Sequence, residues 1–181
     1  MGHIAKLKLL CYNCDISHTG DGHMKDKTCC FFGHRKINET EELKSKLIEI
    51  IEKLIVENSV DTFLFGSKSR FNDLCYEIVS KIKEKYPQIK RIFVRAEYPD
   101  INEQYTNYLL EVFEDAYYPE HIRNSGKAAY VERNYEMTNK SQYCIVYSDE
   151  QNAPTTRKSG TKIAFDYAVK KEKQIINIIS L

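Results

Sequence analysis

Short apolar runs alternate along the chain with longer stretches in which apolar residues recur at helical spacing. The apolar runs predict buried strands at residues 28–32, 62–65, 91–96, 143–147 and 175–179. The stretches between them predict helices at residues 38–57, 72–85, 127–140 and 161–171. The tyrosine-rich segment from Tyr98 to Pro119 has no clear period and predicts neither element.

This succession of elements predicts an α/β fold. Strands and helices in strict alternation are typical of parallel strands joined by right-handed crossovers, and fully apolar strands fit a sheet covered on both faces. We expect a Rossmann-like three-layer sandwich with a mostly parallel five-stranded sheet in the order 3-2-1-4-5. The domain is predicted to occupy residues 24–181. Residues 1–23 are polar and precede the first element, which indicates an N-terminal extension that is either disordered or not native.

The charge balance bears on the partners of the protein. The 181 residues include 27 Lys and Arg against 26 Asp and Glu, a formal net charge of +1. Because sequence-independent binding to nucleic acid needs an excess of cations, we expect a small-molecule partner and no nucleic acid. No apolar run is long enough to span a bilayer, so we expect no membrane partner. The lack of an export signal predicts a cytoplasmic protein with reduced cysteines.

The N-terminal extension contains one group of potential zinc ligands. Cys11, Cys14, His18 and His23 have the residue types of a tetrahedral zinc site, with a spacing shorter than in common zinc fingers. The alternative is a disordered tail in which the pattern is accidental. We expect no metal in the main fold, because these residues precede its first strand.

Polar loops follow the predicted strands at the edge where doubly wound sheets bind ligands. In the order 3-2-1-4-5, this site lies between strands one and four, whose connections run in opposite directions. Glycine lets a backbone approach a phosphate closely, and the free N–H groups at a helix start bind anions. An arginine adds a fork that matches phosphate oxygens. The candidate ligand-binding residues in these loops are Gly33, His34, Arg35, Gly66, Ser67, Ser69, Ser159, Gly160 and Thr161.

Several of these loops resemble motifs of one family. Residues 30–35, Cys-Phe-Phe-Gly-His-Arg, resemble the Phe-Thr-Gly-His-Arg opening of the YpsA-like branch of the SLOG superfamily. Phe65-Gly66 resembles the family's Gly-rich loop, and residues 133–137, Arg-Asn-Tyr-Glu-Met, resemble its Arg-Asn-x-x-Met helix. Residues 159–161 and 175–178 are similar to its glycine turn and final strand. The resemblance spans about residues 24–179.

The resemblance implies a Rossmann-like protein that binds nucleotides or nucleotide-derived ligands, including ADP-ribose-like molecules. It adds Arg133 and Asn134 to the candidate ligand-binding residues. Family members commonly self-associate, and aromatic residues from Tyr105 to Tyr118 are of the kind enriched at interfaces. We therefore expect a homodimer or a higher homo-oligomer.

One departure from related enzymes bears on catalysis. LOG enzymes, which release a base from a nucleoside 5′-monophosphate, carry a Gly-Gly-x-Gly-Thr-x-x-Glu motif whose glutamate position is Ala164 in this chain. A glycosidic-bond hydrolase needs a carboxylate, and Asp166 is predicted to face elsewhere on the helix. We favour a binding protein with no catalytic residue and no cofactor. The alternatives are a LOG-like nucleoside 5′-monophosphate phosphoribohydrolase and an interaction module that binds no ligand.

The most specific expectation concerns two arginines. We predict that Arg35, Arg133 and the Gly160-Thr161 turn converge on one anionic ligand. Neither arginine is expected to be needed in the core.

Overall fold

A computed structural model of the protein describes residues 27–66, 68–96, 103–122, 126–148 and 159–180. The strands are β1 Thr28–Gly33, β2 Thr62–Phe65, β3 Lys90–Val94, β4 Asp115–Tyr117, β5 Tyr143–Tyr147 and β6 Gln174–Asn177. The helices are α1 Glu41–Asn58, α2 Arg70–Lys85, α3 Glu103–Val112, α4 Lys127–Asn139 and α5 Gly160–Lys170, and a short 3-10 helix spans Ile178–Ser180. The zinc candidates Cys11, Cys14, His18 and His23, and the loop residue Ser67, lie outside the described residues.

The six strands form one sheet in the order β4-β3-β2-β1-β5-β6, and every neighbouring pair is parallel. The Rossmann-like α/β class is confirmed, and the predicted order is correct for the five predicted strands. The predicted number of strands is wrong, because β4 adds a sixth at the edge. β4 has only the three residues Asp-Ala-Tyr, none of them fully buried, so no apolar run marks it.

Alternate residues of the central strands enter two separate hydrophobic clusters. Cys29 and Phe31 of β1 pack on one face of the sheet with α1 and α2. Cys30 and Phe32 pack on the other face with residues of α4 and α5. Because both faces are covered, the strands need apolar residues at nearly every position, which is the pattern the sequence shows.

The four cysteines of the described residues are free and buried. We interpreted Cys29, Cys30, Cys75 and Cys144 as small buried hydrophobes from their places in apolar segments, and this is confirmed. Burial raises the pKa of the Cys29 and Cys75 thiols well above the ordinary value, which keeps them protonated at neutral pH.

The first turns of three helices are capped by a serine or threonine hydroxyl. The Thr40 hydroxyl accepts a hydrogen bond from the Leu43 N–H at 3.1 Å at the start of α1. Ser69 does the same for Asn72 at the start of α2, and Ser159 for Lys162 at the start of α5. Two serines predicted to bind ligand therefore act as N-caps.

No helix in the described ranges is long and apolar enough to cross a membrane.

Candidate functional site at the carboxyl edge of the sheet

The strand order reverses between β1 and β5. From β1 the chain crosses to β2 on one side, and from β5 it crosses to β6 on the other. Gly33 at the end of β1 is in register with Tyr147 at the end of β5. This is the switch point at which open α/β sheets leave a crevice above their carboxyl ends. The topology therefore places the loop after β1 and the start of α5 on either side of one crevice.

Gly33 is required by the packing of Phe71. A Cβ at Gly33 would lie 2.5 Å from the Phe71 Cβ and closer still to its ring. The Phe71 ring also contacts Tyr147, with a centroid distance of 5.5 Å. The residue after Gly33, His34, meets the same Tyr147 edge-on at 6.1 Å. The first loop of the site thus rests on an aromatic pair, and this packing by itself accounts for the glycine.

Arg35 is exposed at the end of this loop. Its side chain is therefore accessible from solvent in the described part of the fold. Arg70, the first residue of α2, is engaged on the surface instead. It forms ion pairs with Glu39 and with Glu77, the latter at 2.8 Å.

Arg133 is buried, with 4% of its surface exposed, and it crosses above the end of β2. Its Nη1 donates a hydrogen bond to the Gly66 carbonyl, and its Nε donates to Asn134 Oδ1 at 3.1 Å. Its guanidinium also lies 5.6 Å from the centre of the Tyr130 ring. The expectation that Arg133 is not needed in the core is wrong, because its side chain holds the β2 terminus against α4.

The close approach of Arg133 and of the β3 backbone requires a glycine at position 66. A Cβ there would lie 2.6 Å from the Val94 carbonyl oxygen and 2.8 Å from Arg133 Cδ. The structure therefore brings Gly66, Arg133 and Asn134 together above β2. It brings Gly33, His34 and Arg35 together above β1.

In the part of the chain that the structure describes, α5 starts with an exposed residue, Gly160, followed by a buried one, Thr161. Gly160 is exposed, and a Cβ there would meet no atom of the described residues within 4 Å. The N–H groups of Gly160 and Thr161 have no acceptor within the helix, because they belong to its first turn. Ser159 caps only the N–H of Lys162. This helix start has the free N–H groups of an anion site, and no atom of the described residues lies within 4 Å of a Cβ built at Gly160.

The position of the LOG glutamate is occupied by a buried methyl group. Ala164 is fully buried and packs in the hydrophobic cluster beneath α5. Asp166, two residues further along, forms an ion pair with Lys162 at 2.7 Å. The first turns of α5 therefore place no carboxylate at the position that the hydrolase motif requires.

Two buried polar residues at this edge are not among the predicted site residues. Arg95 directly follows β3, and Asn72 lies in the first turn of α2. Each has a buried polar atom, Nε and Oδ1 respectively, that has no hydrogen-bond partner within the described ranges. The signal for Arg95 was an arginine at the end of an apolar strand, but we included it in the strand prediction.

The opposite edge of the sheet contains a groove of about 410 Å³ at the amino ends of β3 and β4. Glu114 lines it and pairs with Arg91 at 2.6 Å and with Lys83 at 3.7 Å. The charge of Glu114 is thus compensated by two neighbouring cations.

The fold and this edge define a Rossmann-like α/β protein with a polar site at the carboxyl ends of its strands. A family model described as the YspA SLOG family matches residues 22–180. The chain belongs to this SLOG family. No curated protein matches it.

Two solved structures are similar in fold. DNA processing protein A from Streptococcus pneumoniae has 15% sequence identity and a TM-score of 0.52, over 82% of this chain and 48% of that chain. DNA processing protein A from Helicobacter pylori has 15% identity and a TM-score of 0.45, over 88% of this chain and 81% of that one. The chain thus spans about half the length of the Streptococcus structure.

The comparison corrects one expectation about partners. The protein from Streptococcus, whose fold is similar, is named for processing DNA. The exclusion of nucleic acid as a partner is therefore wrong. The physical reason is that net charge sums over the whole chain, whereas nucleic-acid binding depends on where the cations lie.

Proposed function

We propose that the protein binds a nucleotide-derived small molecule, such as a nucleoside phosphate or an ADP-ribose-like ligand, at the carboxyl edge of its sheet. The observation that carries this proposal is the start of α5 beside the switch point between β1 and β5. The N–H groups of Gly160 and Thr161 suit a phosphate, and exposed Arg35 lies on the loop across the crevice. Sensing or sequestration is the corresponding role.

We propose further that binding occurs without hydrolysis. Ala164 offers no general base and no nucleophile, and Asp166 is held in its ion pair with Lys162. A ligand at the start of α5 would meet backbone N–H groups and no carboxylate from that helix.

A ligand panel tests binding and chemistry together. Thermal unfolding is measured with AMP, ADP, ADP-ribose, NAD, a cyclic nucleotide and a single-stranded DNA oligonucleotide. We expect at least one nucleotide to raise the melting temperature, because a ligand that binds only the folded state stabilises it. Chromatography of the same mixtures should show no free base. Release of base from AMP would favour the phosphoribohydrolase, and a response to the oligonucleotide alone would contradict the small-molecule proposal.

The Arg35→Ala variant tests the location of the site. We expect its affinity for the best nucleotide to fall roughly ten- to a hundredfold, because a hydrogen bond to a charged group contributes about 1.5–3 kcal/mol. Arg70→Ala is the matched control, since Arg70 is engaged by Glu39 and Glu77. Titration calorimetry measures both variants. Equal affinities for Arg35→Ala and the parent would move the site away from the β1 loop.

A further inference from the structure

Arg95 is a buried arginine whose hydrogen-bonding capacity is largely unused. It is 9% exposed, and its Nε has no partner among the described residues. Its Nη1 donates to the Thr106 hydroxyl of α3 at 3.3 Å, and its backbone N–H donates to the Tyr117 carbonyl. A buried guanidinium is costly unless an anion compensates it, and none of the described carboxylates pairs with Arg95.

Asn72, in the first turn of α2, has a buried hydrogen-bond acceptor that complements the donor of Arg95. It is 4% exposed, and its Oδ1 accepts no hydrogen bond from the described residues. Asn72 shares a helix face with Tyr76, one turn further along α2. Tyr76 packs against Phe113 and donates to the Val112 carbonyl at the end of α3, at 3.0 Å.

These two residues belong to one part of the fold. β2 and β3 are neighbours, with Phe65 in register with Phe93. Asn72 lies in the helix that follows β2, and Arg95 directly follows β3. Both elements pack against α3, through Tyr76 and through Arg95 itself. A donor of Arg95 and an acceptor of Asn72, each without a partner among the described residues, thus belong to the region of α2, α3 and the carboxyl end of β3.

We propose that this region is a second binding point, at which Arg95 takes an anionic oxygen group of a ligand, from a phosphate or a carboxylate, and Asn72 accepts a hydrogen bond from the same ligand. The inference deepens the proposed function and rests on it for the identity of the ligand. It extends the site from the switch point across β2 to the end of β3. The ligand would then be anionic at the β1–β5 crevice and polar or anionic some distance from it.

The chain offers a matched pair of arginines for the test. Arg91 lies near the other end of β3 and is paired with Glu114. We compare Arg95→Met, which removes the charge and keeps much of the volume, with Arg91→Met and with the parent. Thermal unfolding is measured in chloride, phosphate and acetate at equal ionic strength. The two oxyanions distinguish a phosphate group from a carboxylate.

We expect Arg95→Met to melt no lower than the parent in chloride, because an uncompensated charge has been removed from the interior. Its stabilisation by phosphate or acetate should be smaller than that of the parent. Arg91→Met should melt lower than the parent and keep the full response to the anion. If neither oxyanion stabilises the parent, or if Arg95→Met melts lower and keeps the full anion response, Arg95 is structural and the inference is overturned.

A nucleotide titration separates this inference from the proposed function. With the best nucleotide of the panel, Arg95→Met should lose roughly tenfold in affinity, the effect of one charge-assisted hydrogen bond. Normal affinity in Arg95→Met together with weakened binding in Arg35→Ala would overturn the inference and leave the proposed function standing. An anion response that depends on Arg95, in a protein that binds no nucleotide, would support the second binding point and contradict the proposed function.

Discussion

Arg91 and Arg95 lie near opposite ends of the same strand, β3, and their surroundings differ. Arg91 forms hydrogen bonds to Glu114 through its Nη2 and Nε, at 2.6 and 3.1 Å, and to Ser80 through its Nη1 at 2.8 Å. Arg95 donates from its side chain to one threonine hydroxyl of the described residues. The charge of Arg91 is compensated by Glu114, whereas none of the described residues supplies a carboxylate to Arg95.

This difference distinguishes an arginine whose charge stabilises the fold, Arg91, from an arginine whose charge we propose to bind a ligand, Arg95. The hydrogen bond with Glu114 raises the pKa of Arg91, which shows that its charged form is favoured where it lies. Burying a guanidinium without a partner is costly, and the second binding point that we propose would supply the partner of Arg95 from a ligand. The same reasoning distinguishes Arg70, paired on the surface, from Arg35, exposed beside the switch point.

The largest expected effect concerns the glycines of the carboxyl edge. In Gly66→Ala the new Cβ would lie 2.6 Å from the Val94 carbonyl oxygen, a backbone atom that cannot move aside without shifting β3. We expect a loss of about 1–3 kcal/mol in the free energy of unfolding, the usual cost of overpacking. Gly160→Ala is the control, since its Cβ meets open space, and it should be neutral or slightly stabilising. Chemical denaturation measures both, and a Gly66→Ala as stable as Gly160→Ala would contradict the close approach at β2.

The ion pair between Arg91 and Glu114 at the amino edge of the sheet predicts that the free energy of unfolding depends on pH. Burial raises the pKa of Glu114, but the hydrogen bonds from Arg91 outweigh it and leave that pKa below its ordinary value. A lowered folded-state pKa contributes stability that is present above the unfolded value of about 4.3 and is lost as pH falls through the folded value.

We therefore expect Glu114→Gln to be less stable than the parent by about 1 kcal/mol at pH 7, a magnitude typical of a partly buried pair. The difference should begin to shrink as the pH falls below the unfolded value of about 4.3, and it should vanish only below the lowered pKa of Glu114 in the folded parent, where its carboxyl is protonated. Urea denaturation between pH 3 and 7 measures the difference. A difference that stays constant over this range would show that the Arg91–Glu114 pair contributes no net stability.

The smallest effect on folding is expected at α3, which flanks the carboxyl edge. Tyr108 and Leu110 are 56% and 51% exposed on the two flanks of buried Leu109, and we propose that the exposed surface of α3 joins two copies of the chain. Changing both to Ser should alter monomer stability by less than about 0.5 kcal/mol, as for most surface substitutions. Light scattering at micromolar concentration should show a dimer for the parent and a monomer for the variant. A parent that is strictly monomeric would contradict the proposal.

The sequence predicted the fold well because both faces of the sheet are covered. Nearly continuous apolar strands such as Tyr143–Tyr147 are recognisable without knowledge of their neighbours. β4 is too short and too polar to give such a signal, and it forms because β3 offers a free edge. The local pattern of apolar residues thus predicts strands that are buried on both faces. It misses a short edge strand that forms by pairing with its neighbour.

The site was predicted less completely, for two physical reasons. An arginine in a helix pattern is usually on the surface, so nothing in the order of residues indicated that Arg133 is buried over Gly66. Arg95 Nε and Asn72 Oδ1 have no hydrogen-bond partner among the described residues. This is a property of three-dimensional packing, and no pattern in the sequence indicates it. Glycines are also ambiguous, since Gly33 is explained by the ring of Phe71.

A crystal structure of the protein with its best nucleotide tests the central claim most directly. The account predicts ligand density above the carboxyl ends of β1 and β5, with a phosphate on the N–H groups of Gly160 and Thr161 and within reach of Arg35. Density in the groove at the amino ends of β3 and β4, beside Glu114, would contradict it.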